Sequence, residues 1–142
     1  MRVLHWGIAC GWLGSWLVAF SAHASVLDRI NAGGKLVIAH RESSVPFSYV
    51  DSQSGKPVGY AVDLCLRLAD VVRKKTGKKD MEVEFLMVTP ANRIPMIEQG
   101  KADLECGSTT NNAERREKVA FTIPHFITGA RMLVKASSTV ER

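Results

Sequence analysis

The stretch "ADLECGSTTNNAER", residues 102–115, decides the fold because it passes from a strand through a polar turn into a helix. Its first part, "ADLEC", is predicted as a short strand. The five residues Ser108 to Asn112 are short and polar, and Asn111 with Glu114 has the spacing of a helix N-cap and its acidic partner. Taken alone, the pattern predicts a turn that caps a helix, because short polar side chains favour caps for local reasons.

The rest of the chain alternates strands with helices, which predicts an α/β layered domain with a largely parallel sheet. Besides residues 102–106, strands are predicted at residues 35–40, 47–50, 81–88, 119–122 and 130–136. Three helices are predicted before the one at Asn111. The first is capped by Ser25 and closed at Gly33–Gly34, and the third has Thr89 as its N-cap, Pro90 at its first position and Gly100 at its end. The second ends before Gly77 and has its apolar face at Leu64, Leu68, Val71 and Val72. Pro95 is expected to kink or shorten the third helix.

Residues 1–24 have the composition of a secretory signal peptide. Arg2 supplies a positive start, an apolar run follows, and Ala22 and Ala24 form the small-residue pattern after which a signal peptidase cuts. The alternative is a retained membrane anchor, but the apolar run is short for a bilayer span. We therefore expect cleavage, a mature chain that begins at Ser25, and delivery to an exported compartment.

The chain is basic, with a formal net charge of +5, and much of this charge lies in "RKKTGKK", residues 73–79. A basic run at the end of a helix is most simply a solvated face that complements the helix dipole. Expected export and the absence of a nucleic-acid-binding motif exclude nucleic acid as a partner.

Cysteine and histidine patterns indicate no catalytic or metal site. Cys65 and Cys106 follow the predicted cleavage point, and they can either form a disulfide or remain two buried free thiols; their spacing does not decide. His40 and His125 lie far apart without metal-ligand spacing, and Ser108 is not part of a nucleophile elbow. We predict no catalytic residues, no metal and no cofactor.

Arginines follow each of the major predicted strands. Arg41 comes after the first strand, Arg93 after the second, and Arg115 about one helical turn into the segment after the third. In a parallel sheet these positions meet at the carboxyl edge, where ligands usually bind. A guanidinium holds a carboxylate through two parallel hydrogen bonds, so the pattern predicts a binding site for an anion.

Four motifs together resemble the periplasmic glutamate/aspartate-binding proteins of ABC importers, within the polar-amino-acid solute-binding family: "HRESSVPFSY" (40–49), "GYAVDLCLRLA" (59–69), "NRIP" (92–95) and "ECGSTTNNAERR" (105–116). The resemblance implies a type II periplasmic-binding-protein-like lobe, a layered sheet with flanking helices. It identifies residues 25–142 as the N-terminal lobe, with the second lobe and the returning segment absent. It therefore implies an incomplete, truncated form in the periplasm that binds its ligand weakly.

The resemblance also assigns roles to site residues. It implies that Arg115 and the Thr110 backbone N–H hold the ligand α-carboxylate, and that Ser108 and Thr110 offer oxygens to the α-ammonium. It implies that Arg41 and Arg93 meet the side-chain carboxylate of L-glutamate or L-aspartate. The implied partners are the membrane permease subunits of the importer, and the implied mechanism is binding and delivery without chemistry on the ligand.

Two other classes of protein remain as alternatives. The first is an exported enzyme of related fold, either a dehydratase or a lytic enzyme, although such substrates would leave the pair Arg41 and Arg93 unexplained. The second is the ligand-sensing domain of a membrane receptor, which needs a transmembrane helix further along the chain.

Overall fold

The computed structural model of the protein describes residues 25–129, 131 and 133–139, so the predicted signal peptide, residues 1–24, lies outside the described residues. The elements in chain order are α1 (Val26–Asn31), β1 (Leu36–Arg41), β2 (Ser43–Ser44), β3 (Ser48–Val50), β4 (Pro57–Val58), α2 (Tyr60–Thr76), β5 (Val83–Val88), α3 (Arg93–Glu98), β6 (Leu104–Cys106) and α4 (Ala113–Arg116). None of the helices within these ranges is long and apolar enough to cross a membrane.

The central sheet has the order β5-β1-β6, and both neighbours of β1 are parallel to it. In register, Arg41 lies opposite Val88 on one side, and Ala39 lies opposite Glu105 on the other. A second, antiparallel sheet of order β2-β3-β4 continues from the carboxyl end of β1. The predicted parallel sheet with flanking helices is confirmed.

Helices cover both faces of the central sheet. On one face, Leu36 and Ile38 of β1 pack with Ile30 of α1 and Ala69 of α2. On the other face, Ala39 packs with residues of α3. Because side chains alternate along a strand, β1 and β5 send residues to both cores, whereas Leu104 and Cys106 of β6 belong to the first.

α2 presents only part of its predicted face to the sheet, because Val72 packs against the core as predicted but two other residues of that face do not. Leu68 and Val71 are exposed, whereas Ala61 and Ala69 are buried. Cys65 lies between these alanines at four-residue spacing and forms a disulfide with Cys106 of β6, across a Cα–Cα distance of 6.4 Å. The small residues and the disulfide let the helix approach the sheet closely, and this outweighs the burial of Leu68 and Val71.

Helix ends agree with the sequence in two places and differ in two. Ser25 and Asp28 form the predicted capping box, and Gly77 ends α2 in the left-handed conformation at φ 69°. α4 is capped by Asn112, whose side chain accepts from the Arg115 backbone N–H, so the predicted cap at Asn111 is wrong by one residue. The shift follows from extended backbone at Asn112, which aims its side chain at the first turn.

α3 begins later than predicted, at Arg93. Thr89 and Asn92 bond each other reciprocally, with Thr89 N–H to Asn92 Oδ1 at 2.8 Å and Asn92 N–H to Thr89 Oγ1 at 3.3 Å. This closed turn contains Pro90 and precedes the helix. Pro95 therefore lies in the first turn of a short helix, where the missing N–H has no intrahelical partner to lose.

Neither strand predicted after α4 is present in the described residues. Residues 119–122 are irregular, and so are Arg131 and residues 133–135, while residues 130 and 132 of that prediction lie outside the described part. An apolar run becomes a strand only when a neighbouring strand supplies hydrogen bonds. The described sheet ends at β5 and β6, and Leu133 and Val134 of the second predicted strand are exposed.

Candidate functional site

The predicted site residues lie at the carboxyl edge of the central sheet. Arg41 is the last residue of β1, Arg93 is the first of α3, and Ser108 follows β6 by two positions. By strand alternation, Arg41 belongs to the same face as Ala39, and this is the face that α3 covers. Topology therefore directs Arg41 and Arg93 to one place.

Two nitrogens of the Arg93 guanidinium are buried without a hydrogen-bond partner among the described residues. The residue is only 8% exposed, and its Nε and Nη1 atoms make no hydrogen bond. The Nε atom of Arg41 is likewise buried and unpartnered. Burial lowers the pKa of Arg93, the charge of Glu105 opposes this, and repulsion from Arg115 and Arg41 lowers the pKa further. These charges are thus close enough to act on one another.

The polar segment after β6 is organised by local hydrogen bonds. Ser108 Oγ lies 2.7 Å from Ser44 Oγ of β2, which ties this segment to the small sheet. Arg115 Nη1 donates to the Thr110 carbonyl oxygen at 2.8 Å, so the half-buried Arg115 side chain returns to the loop. The structure therefore brings Arg115 and Thr110 into direct contact and leaves both exposed Oγ atoms, at Ser108 and Thr110, near the edge.

Two site residues were missed at the sequence level, Glu105 and Thr109. The Oε1 atom of Glu105 and the Oγ1 atom of Thr109 are buried without hydrogen-bond partners. Strand alternation was the signal available for Glu105, because it stands in register with Ala39 on the face of Arg41. Thr109 carried no such signal, since it lies in an irregular turn.

This arrangement suits a small molecule with negative groups. It offers guanidinium donors, hydroxyl oxygens and one carboxylate within one edge of the sheet, and guanidinium groups bind carboxylates bidentately. The described residues contain no group of three or more His, Cys, Asp and Glu side chains that could hold a metal ion. Two surface depressions, at the end of α2 and beside α1, lie away from these residues.

Solved structures of amino-acid-binding proteins share this fold. One is domain 1 of the T. maritima arginine-binding protein TmArgBP, as a Phe57Trp mutant in its arginine-bound form, with a TM-score of 0.59 and 30% identity over 70% of this chain and 71% of that chain. Another is an ancestral cyclohexadienyl dehydratase, with a TM-score of 0.60 and 31% identity over 72% of this chain and 39% of that chain. The fold is that of a type II periplasmic-binding lobe.

The chain belongs to the bacterial extracellular solute-binding proteins, family 3, whose model matches residues 36–141. It is 45% identical over 123 residues to the glutamate/aspartate import solute-binding protein of Escherichia coli, which is 87% of this chain and 40% of that protein. It is 39% identical over 115 residues to the L-glutamate/L-aspartate-binding protein of Pseudomonas aeruginosa, 81% of this chain and 38% of that protein. The chain thus spans about 40% of the length of these relatives.

Proposed function

We propose that the chain binds acidic amino acids, L-glutamate or L-aspartate, as the solute-binding component of an ABC importer, with the importer's membrane permease subunits as its partners. One observation carries this proposal: a guanidinium, that of Arg93, is buried at the ligand edge with two nitrogens unpartnered. A buried charge without a partner is costly, and a carboxylate of the ligand would satisfy it. The two relatives named for glutamate and aspartate support the same ligand class.

The ligand would lie across the edge with its two ends held by different segments. Arg115 and the Thr110 backbone N–H hold the α-carboxylate, and the oxygens of Ser108 and Thr110 accept from the α-ammonium. Arg41 and Arg93 hold the side-chain carboxylate. Support for this division comes from position: Arg115 already contacts the Thr110 segment, whereas the unpartnered Arg41 and Arg93 atoms lie on the α3 side.

Charge selectivity follows from buried Arg93 and half-buried Arg41. Glutamine matches glutamate in shape but brings no second negative charge. A charge-assisted hydrogen bond contributes roughly 1.5–3 kcal/mol, about twice a neutral one, so a site that loses this assistance at Arg41 and Arg93 binds glutamine much more weakly.

We place the protein in the periplasm after cleavage of residues 1–24. The chain has three tryptophans, Trp6, Trp12 and Trp16, and all lie in that segment. Export with cleavage therefore yields a product without tryptophan fluorescence, and its mass is that of a chain beginning at Ser25. Tryptophan emission from the exported protein would show instead that the segment is retained.

We propose a binding protein rather than an enzyme, although the ancestral dehydratase shows that a related fold carries catalysis. Both histidines among the described residues already contact other protein groups: His40 is 5% exposed, with its Nδ1 atom 3.1 Å from the Arg41 carbonyl oxygen. His125 lies against the ring of Tyr60 at 5.5 Å. Unchanged ligand, recovered after long incubation and assayed by NMR, is the expected result; release of a product would favour the enzyme.

Binding by this chain is expected to be weaker than micromolar, because one lobe covers one side of the ligand while closed pockets bury most of it. A single domain can still hold an amino acid, as the arginine-bound domain 1 of TmArgBP indicates for that protein. The test is a thermal melt of the purified protein with millimolar L-glutamate, L-aspartate or L-glutamine. Ligand at 100 times its dissociation constant adds about 2.7 kcal/mol to the free energy of unfolding.

We expect L-glutamate and L-aspartate to raise the melting temperature and L-glutamine to leave it unchanged. The variant Arg93→Met should lose both effects, whereas Arg73→Met, which removes an arginine at the end of α2, should retain them. Equal responses to all three amino acids, or none, would contradict an acidic-amino-acid site on this chain.

A further inference from the structure

Glu105 carries a negative charge into the group of arginines. It stands in register with Ala39, two positions before Arg41 on the same face of the sheet. Its Oε1 atom is buried and makes no hydrogen bond. A carboxylate in this position is unexpected in a site whose purpose is to hold carboxylates, because like charges repel.

The carboxylate of Glu105 lies directly over Gly107, in the turn that leads into Ser108. A Cβ atom added at Gly107 would be 2.6 Å from Glu105 Oε1 and 3.3 Å from Arg41 Cγ. The absence of a side chain at Gly107 thus allows the carboxylate to reach the start of the polar segment. That segment supplies the oxygens proposed above for the ligand ammonium.

No salt bridge within 4.0 Å links Glu105 to an arginine among the described residues. The carboxylate nevertheless acts on the arginines through space, since it favours the charged form of Arg93 while Arg41 and Arg115 disfavour it. Glu105 is therefore close to the arginines but forms no salt bridge with any of those in the described residues. Its charge is thus not paired off by a direct contact with an arginine.

The electrostatics of the ligand give this charge a purpose. Glutamate carries two carboxylates and one ammonium, and three guanidinium groups attract the former but repel the latter. Without a nearby anion, the site would favour a plain dicarboxylate, which has no ammonium to repel. An opposite charge within about 4–6 Å typically favours an ionised group by a factor of ten or more.

We propose that Glu105 is the specificity residue that makes this site prefer amino acids over plain dicarboxylates, by offsetting the repulsion between its arginines and the ligand ammonium. This inference rests on the proposed function. The polar oxygens of Ser108 and Thr110 accept hydrogen bonds from the ammonium, but they carry no net charge to counter three arginines. Glu105 supplies that charge beside them.

The experiment compares L-glutamate with glutarate, the same five-carbon dicarboxylate without the ammonium. NMR titration of the purified protein gives both dissociation constants, even in the millimolar range. The variants are Glu105→Gln, which keeps shape and removes charge, and Glu98→Gln, a matched control at an exposed position of α3. A further variant, Gly107→Ala, displaces the Glu105 carboxylate without removing its charge.

We expect the wild type to prefer L-glutamate, and Glu105→Gln to lower the preference for L-glutamate over glutarate by about tenfold or more, by loss of glutamate binding. Glu98→Gln should leave the preference unchanged, and Gly107→Ala should lower it. If Glu105→Gln weakens both ligands by the same factor, Glu105 is a structural residue and the inference is overturned.

Three further results, with the wild type and with Glu105→Gln, also decide the matter. A wild type that binds glutarate as tightly as L-glutamate overturns the inference even if Glu105→Gln does not fold. A wild type that binds neither L-glutamate nor L-aspartate overturns the proposed function and this inference with it, whereas binding of L-glutamate with an unchanged preference in Glu105→Gln overturns this inference alone.

Discussion

Replacing Arg93 by methionine should stabilise the ligand-free protein and abolish ligand binding. Arg93 is 8% exposed, and two of its guanidinium nitrogens are buried without partners. Each buried unsatisfied donor costs about 1–3 kcal/mol. Methionine fills a similar volume and leaves no donor unsatisfied. Because the residual exposure lets the guanidinium keep part of its hydration, we expect a gain near the lower end, about 1–2 kcal/mol in the free energy of unfolding.

The assay is urea unfolding followed by far-UV circular dichroism, without ligand, and the control is Arg73→Met. Arg73 has partners for its donors: Nε and Nη2 lie 3.2 and 2.9 Å from the Met81 carbonyl oxygen, and Nη1 lies 2.8 Å from an oxygen of Asp70. Removing these bonds should lower the free energy of unfolding by about 1 kcal/mol. The same chemical change is thus predicted to act with opposite sign at two positions.

A loss of stability in Arg93→Met equal to that in Arg73→Met would refute the reasoning. It would mean that the Arg93 guanidinium is satisfied in the free protein, and the main observation behind the proposed function would fail. A gain of stability together with loss of the glutamate response would show that the site holds an energetic cost that only the ligand relieves, the usual trade-off between stability and function.

Three further changes test the parts of the fold that support this edge. Reduction of the disulfide, which closes a loop of sequence separation 41, should lower the free energy of unfolding by about 4 kcal/mol, measured as a shift of the urea midpoint with and without dithiothreitol; an unchanged midpoint would contradict a stabilising role. Gly59→Ala should cost about 2 kcal/mol or more, because φ is 125° and the new Cβ would lie 2.5 Å from the Phe47 carbonyl oxygen, whereas Gly55→Ala, with nothing within 4 Å, should cost about 1 kcal/mol by thermal melting. Asp103→Asn should cost about 1–2 kcal/mol in the same assay, since both carboxylate oxygens of Asp103 accept bonds of 2.6 Å from Nη2 of Arg29, whose side chain is 40% exposed. No change in stability would mean that this ion pair contributes nothing.

The parallel sheet was predictable because its signals are local. Apolar runs mark β1 and β5, and a glycine or a capping residue marks most helix ends. The face of α2 was not predictable in the same way, since apolar spacing favoured Leu68 and Val71 while the disulfide and two alanines decide the contact. Residues 119–122 show the same limit, because a strand depends on a partner that the segment itself does not contain.

The candidate site, like the fold, was predictable from the sequence only in part. Arg41 and Arg93 were predictable as neighbours because carboxyl ends of parallel strands meet, and the structure places both on the α3 side. The position of Glu105 over Gly107 depends on how a side chain folds across a turn, which spacing alone does not determine. The burial of Arg93 is also a property of packing, since its place at the start of a short helix predicts exposure.

Consecutive residues of β6 serve the two faces of the sheet. Cys106 joins the core on the α2 side through its disulfide, whereas Glu105 stands in register with Ala39 on the α3 side with its oxygen unpartnered. Strand alternation therefore lets one short strand stabilise the fold with one residue and place a carboxylate beside the arginines with the next. The disulfide anchors the strand to α2 directly beside that charge.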